Sequence, residues 1–95
     1  MADFQFTWVP RKAVANWQKH GVSFEEAVIA FWDEHGRVMP DPDHSADEDR
    51  FILLGLSSSL RLLVVCHCYR ATPEVVRIIS ARRAEKGERD QYGAN

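Results

Sequence analysis

Arg50-Phe51-Ile52-Leu53-Leu54-Gly55-Leu56, Ser57-Ser58-Ser59, Leu60-Arg61-Leu62-Leu63-Val64-Val65-Cys66-His67-Cys68-Tyr69-Arg70, Ala71-Thr72-Pro73 and Val75-Val76-Arg77-Ile78-Ile79-Ser80-Ala81 follow one another almost without interruption. Three apolar runs separated by short Ser-rich or Thr-Pro breaks read as strands over residues 50–56, 60–69 and 75–81, joined by turns. A parallel crossover needs about a dozen residues or more, so connections this short make an antiparallel meander. The runs are apolar at nearly every position, where a half-solvated strand would alternate. Both faces of the sheet are therefore expected to be covered.

Upstream, Phe4-Gln5-Phe6-Thr7-Trp8 alternates apolar and polar residues and reads as a further strand. Pro10 suits the first turn of a helix, and Gly21 suits its end. Residues 11–20 then place Ala13, Trp17 and His20 on one helical stripe. Ser23-Phe24-Glu25-Glu26 is a capping-box pattern, with Ser23 accepting from the Glu26 N–H and the Glu26 side chain reaching back. The helix it opens carries Phe24, Ala27, Val28 and Phe31 at helical spacing and ends near Asp33. Arg37-Val38-Met39 reads as a short strand stopped by Pro40, and residues 41–49 as an acidic loop. The tail from Arg82 is a short helix or a frayed end. The fold class is α+β, two N-terminal helices packed on a small, mostly antiparallel sheet.

The chain has 95 residues, one domain's worth, read as a single domain over 1–95. No apolar run approaches the roughly 18 residues of a spanning helix, and the start shows no secretory pattern, so the expected compartment is the cytoplasm. Cys66 and Cys68 lie two apart on one strand, too far and too parallel for a disulfide, which fits reduced buried thiols. The formal net charge of −2 hides a segregation. Residues 1–24 set Asp3 against Arg11, Lys12 and Lys19, residues 25–50 carry a net −7, and residues 51–95 a net +3. The whole chain is no polyanion binder by net charge, but its C-terminal part can be one locally.

Several stretches together resemble the BrnT family. They are Trp8-Val9-Pro10-Arg11-Lys12-Ala13 with Asn16, Lys19-His20-Gly21-Val22-Ser23-Phe24-Glu25-Glu26-Ala27, residues 49–57 and 64–70, and Arg77-Ile78-Ile79-Ser80-Ala81-Arg82-Arg83-Ala84 with Glu88-Arg89 and Tyr92. The resemblance implies a RelE-like fold and a type II toxin, a ribonuclease that cuts RNA without metal or cofactor and arrests translation. It also implies a partner, a BrnA-like antitoxin with a ribbon-helix-helix region that neutralises the toxin in a 2:2 hetero-oligomer. Operator DNA is then contacted only through the antitoxin, and no membrane is involved. Two positions depart from the family pattern. Val9 stands where an Asp is usual and cannot cap the first helix, a loss of about 1 kcal/mol. Gly87 replaces a basic residue.

Metal-independent RNA cleavage sets the 2′-OH against the adjacent phosphorus. It needs a base, an acid for the 5′-oxygen, and cations around the phosphate. The candidate catalytic residues are His67, Arg70, Arg82, His20 and Lys19, and the candidate RNA contacts are Arg77, Arg83 and Tyr92. His67 and Tyr69 share one strand face. By alternation Arg77 and Arg83 share one face of the next strand, Ser80 and Arg82 the other. Arg is suited to phosphate by its planar, permanently charged fork. Each has a plainer reading: His67 as a bonded core residue, the Lys19-His20 pair as helix-dipole charges, the arginines as solvated strand ends. Glu25 is a weaker base candidate. Trp8, Trp17 and Trp32 read as core. Asp41, Asp43, His44, Asp47, Glu48 and Asp49 lack the order of a calcium loop, and Cys66-His67-Cys68 has no second pair to complete a zinc site. A rival to the enzyme is a non-catalytic partner module acting in operon autorepression, and a second is a metal-dependent nuclease centred on the acidic loop.

Overall fold

In a computed structural model that describes residues 4–41 and 49–92, the elements are β1 (Gln5–Thr7), α1 (Pro10–His20), α2 (Phe24–Ala30), β2 (Arg37–Pro40), β3 (Arg50–Leu56), β4 (Leu62–Arg70), β5 (Thr72–Arg83) and α3 (Lys86–Arg89). They form one five-stranded sheet in the order β1-β5-β4-β3-β2. The β2–β3, β3–β4 and β4–β5 pairs are antiparallel, as the short connections require, and β1 joins β5 in parallel. The class is thus α+β with a mostly antiparallel sheet.

Both sheet faces are covered, which explains the unbroken apolar runs. On one face Leu53, Leu63, Val65, Ile78 and Ala81 pack against Val22, Phe24, Ala27 and Ala30, with Phe6, Trp8, Ala13, Val28 and Phe31 around them. Full burial of such a side chain contributes about 1.5–3 kcal/mol. On the other face Leu54 and Val64 pack with Ala84, and Met39, Ile52, Leu62 and Tyr92 complete a smaller cluster. The last segment therefore closes the second face. It is pinned by Tyr92 donating to the Asp33 carboxylate, by Arg37 Nη1 donating to the Gln91 carbonyl at 3.0 Å, and by Ala84 N–H bonding Leu62 O at 2.9 Å. Cys66 and Cys68 are free and buried. The Cys66 thiol faces the Asp41 carboxylate at 3.6 Å, and burial with that charge raises it to about 11.

Several local expectations are corrected. α1 turns its polar residue inward: Asn16 is its buried residue, between half-buried Ala13 and His20. Trp17, one position round the helix, is 58% exposed, and Trp32 is 55% exposed, so only Trp8 of the three tryptophans packs in the core. α2 stops at Ala30, before Asp33, whose carboxylate accepts the His35 N–H at 2.9 Å and the Leu56 N–H at 2.8 Å. Leu60 is not in a strand. It adopts a left-handed φ of 60° in the turn closed by Ser57 N–H to Arg61 O at 2.9 Å. The second break shrinks to Ala71 alone, also left-handed at φ 56°, and β5 starts at Thr72. At its other end β5 runs on through Arg82 and Arg83, leaving only a short helix for the tail.

One irregularity matters for the site. Ser80 pairs with Cys66 while Ile78 pairs with His67, so Ile79 is an extra residue in β5. The bulge reverses the alternation expected there. Arg77 lies opposite Cys68 and Arg83 opposite Leu63, on different faces of the sheet. Arg77, Ser80 and Arg82 instead share the face of Cys68, Cys66 and Val64.

Candidate functional site

β1 pairs with β5 only over Val75 to Arg77, so the backbone of β5 beyond it has no strand neighbour on that side. Asn16 takes the place of one. Its Oδ1 accepts the Ala81 N–H at 3.0 Å, and its Nδ2 donates to Ala81 O at 2.8 Å and to Val22 O at 2.9 Å. This side-chain graft fixes α1 against the edge of β5. It leaves a groove of about 220 Å³ lined by Lys12, Ala15, Asn16, Lys19, His20, Ile79 and Ser80. Lys12 and Lys19 are exposed and His20 half-buried. None of the three has an ion-pair partner among the described residues. Arg83 lies two residues beyond Ala81 on the helix-bearing face, exposed and likewise without a counter-charge there. The groove thus collects cations and an imidazole along α1, from Lys12 in its first turn to Lys19 and His20 in its last, where the helix dipole also favours positive charge.

Beside it stands a cluster that the sequence did not announce. Glu26 accepts from Ser57 Oγ and Ser59 Oγ, each at 2.6 Å, and from Arg61 Nε at 3.0 Å, with Arg61 Nη2 on its second oxygen. Hydrogen bonding to Arg61 leads in holding the Glu26 carboxyl down to about 2, against burial, and Ser57 and Ser59 add to it. Arg61 Nη2 also reaches the Gly21 carbonyl at 3.1 Å, tying the β3–β4 turn to the end of α1. Of the capping box, therefore, only half forms. Ser23 Oγ accepts the Glu26 N–H at 3.0 Å, while the Glu26 carboxylate turns to Arg61. The signal was a carboxylate and an arginine 35 positions apart, which no local spacing links.

The remaining candidates are scattered. His67 is 0% exposed, ringed by Phe31 at 4.9 Å, Tyr69 at 5.3 Å and Phe51 at 6.3 Å between centroids. Its Nδ1–H donates to Val65 O at 3.0 Å, which leaves Nε2 to accept from Tyr69 Oη at 3.3 Å. Burial lowers its pKa, so the ring is neutral. With no exposed surface and both nitrogens engaged, the ring has the geometry of a core histidine. Arg82 gives both terminal nitrogens to Glu88, at 2.9 and 2.7 Å, and that bonding raises its pKa further. Tyr92 donates to Asp33, which pushes the phenol up to about 12. Arg70 sits with Tyr69, Ala71, Thr72 and Pro73 at the β4–β5 tip. Thr72, its partner, and Arg82 are ten positions apart on β5, about 30 Å of strand. The sheet therefore unites Lys19 and His20, with Arg83 two residues past the Asn16 graft, and keeps Arg70, Arg77 and His67 apart from them. Among the described residues no three His, Cys, Asp or Glu side chains are placed to share a metal ion. Asp43, His44, Asp47 and Glu48 of the acidic loop lie outside the described residues. No described helix is long and apolar enough to cross a membrane.

Residues 8–88 match the family described as ribonuclease toxin, BrnT, of type II toxin-antitoxin system. The chain belongs to the BrnT family. Its fold is similar to that in a crystal structure of the Brucella abortus ribonuclease toxin BrnT, with a TM-score of 0.67 and 22% identity over 87% of this chain and 99% of that one. No curated protein matches the chain. The α1–β5 groove and the Glu26–Arg61 cluster both fall inside the matched BrnT span, as does the whole of the sheet except β1.

Proposed function

We propose that this BrnT family member is a metal-independent endoribonuclease and that RNA is cut in the α1–β5 groove. The observation that carries the reading is the meeting of Lys12, Lys19 and His20 there with no counter-charge among the described residues. In this reading the lysines hold the scissile phosphate and Arg83 the next one along. His20 moves protons: it takes the 2′-OH proton as the 2′-oxygen attacks phosphorus. The P–O5′ bond breaks, leaving a 2′,3′-cyclic phosphate and a 5′-oxygen that takes a proton from water to become the 5′-OH. Lys19, beside it, neutralises charge building on the phosphate oxygens. Arg82 is read as a structural anchor for α3, and Arg70 and Arg77 as outside the cleavage site.

Cutting messenger RNA in the cytoplasm inhibits translation. Membership in a type II toxin–antitoxin family supports a proteinaceous neutraliser, which we take to be a BrnA-like ribbon-helix-helix antitoxin bound 2:2 and carrying all operator contacts. The test is cleavage of a purified messenger RNA in EDTA, with and without the antitoxin. Wild-type chain should cut, antitoxin should stop it, and His20→Ala should lower kcat about 10²–10⁴-fold. Loss of cleavage in EDTA, or wild-type rates in both His20→Ala and Lys19→Ala, would refute the assignment.

A further inference from the structure

Trp17 and Val14 are each 58% exposed on the outer side of α1. Burial of the Asn16 amide fixes the rotation of the helix, and the indole is turned outward as a consequence. A tryptophan carries some of the largest apolar area of any side chain and is rarely left so open without a partner. Beside it α1 and α2 leave a groove of about 290 Å³ lined by Ala13, Val14, Trp17, Ser23, Phe24 and Glu25. Phe24 is fully buried and makes its floor, and the Glu25 carboxylate at the rim has no bonding partner among the described residues. The cationic groove of Lys12, Lys19 and His20 lies on the other flank of the same helix. One helix width, about 10 Å, separates an aromatic surface from a row of phosphate-binding charges. Single-stranded nucleic acid is held by this combination, cations along the backbone and an aromatic ring under a base.

We propose that the α1–α2 groove is a nucleobase subsite, in which Trp17 stacks one base of the RNA and Glu25 reads its edge. The proposal rests on the ribonuclease reading and deepens it by naming a substrate preference. An ionised carboxylate only accepts hydrogen bonds. It therefore favours an edge that presents two adjacent donors, the N1–H and N2–H₂ of guanine. It disfavours uracil, whose N3–H is flanked by two carbonyl oxygens. A protein partner would also cover Trp17, but a Glu25 carboxylate with no partner among the described residues, and the cations that share α1 with Trp17, match a base joined to phosphates.

The experiment is fluorescence anisotropy with 2′-O-methyl RNA hexamers, which cannot be cut because the nucleophile is blocked. The hexamers carry guanine, inosine or uracil at one position, and the full chain is compared with Trp17→Leu, Glu25→Gln and Lys19→Ala. Wild type should prefer guanine to inosine, which lacks the N2 amine, and to uracil. Trp17→Leu should weaken every hexamer about tenfold or more, and Glu25→Gln should erase the guanine preference. Trp17 is a surface residue, so a circular-dichroism melt should remain near wild type. Wild-type binding by Trp17→Leu, or an intact guanine preference in Glu25→Gln, overturns the proposal. If Lys19→Ala weakens binding while those two do not, the cleavage groove stands and the base subsite alone falls. Loss of antitoxin binding in Trp17→Leu with RNA binding unchanged assigns the surface to protein and overturns it too.

Discussion

Replacing Asn16 by Ala should unseat the helix that builds the site. The amide makes three buried hydrogen bonds, two to Ala81 and one to Val22. Each has a net worth of about 1 kcal/mol, and each orphaned buried partner costs about 1–3 kcal/mol where water cannot replace the amide. Some of the freed groups will find water at the groove, so the expected loss is about 3–5 kcal/mol. That is a large share of the roughly 5–15 kcal/mol that hold a domain together. With a urea m-value of about 1–1.5 kcal/mol/M, the unfolding midpoint should fall by about 2–5 M. Asn16→Asp keeps an acceptor for Ala81 N–H but loses both donors, so it should be no better at neutral pH. Hydrogen exchange gives the local readout, since the Ala81 amide should lose protection in Asn16→Ala under conditions where the protein is still folded. A loss below about 1 kcal/mol with Ala81 still protected would refute the idea that Asn16 stands in for a missing strand.

Glu26 provides a pH test: its carboxyl is held at about 2 in the fold against a reference of 4.5. A lowered folded pKa means that this contribution is complete above pH 4.5 and is lost as pH falls through 2, up to about 3 kcal/mol in all. Urea melts from pH 5 down to pH 2 should show that fall in the wild type, and Glu26→Gln should lack that part of the slope. Gly55→Ala should cost about 1–3 kcal/mol, because a Cβ there would sit 2.7 Å from the Ala30 carbonyl oxygen; an unchanged thermal midpoint would show that α2 can retreat. The His67 ring should stay neutral in NMR spectra at pH 6.5, where half of a free histidine is protonated, because burial disfavours its charge; a protonated ring would mean that it reaches solvent.

The central sheet was legible because its signals are local. Apolar runs, Ser-rich breaks and connections too short to cross over dictate an antiparallel meander, and Gly21, at φ 66°, ends α1 as its position suggests. What escaped depends on partners distant in sequence. Asn16 reads as a surface residue until Ala81 is beside it, and with it went the rotation of α1 and the exposure of Trp17. The Ile79 bulge leaves no mark in an apolar strand, yet it decides which arginines share a face. Half of the candidate site was legible for the same reason. Lys19 and His20 come together at a helix end, which sequence shows. The burial of His67 and the Glu88 partner of Arg82 are matters of packing and of where the last helix lands.

The place of β1 has a bearing on when this chain can act. Among the described residues its strand partner is β5, some 70 positions later in the chain, and the same late strand supplies Ala81, on which α1 is anchored. A ribosome releases the N-terminal strand and helix long before the strand they need. During synthesis they wait without their support, and the groove between α1 and β5 does not exist. Closing so long a loop is also slow relative to local contacts. A protein proposed as a poison of translation is thus assembled only once β5 has left the ribosome, which leaves an interval in which a freshly made antitoxin can meet it unarmed.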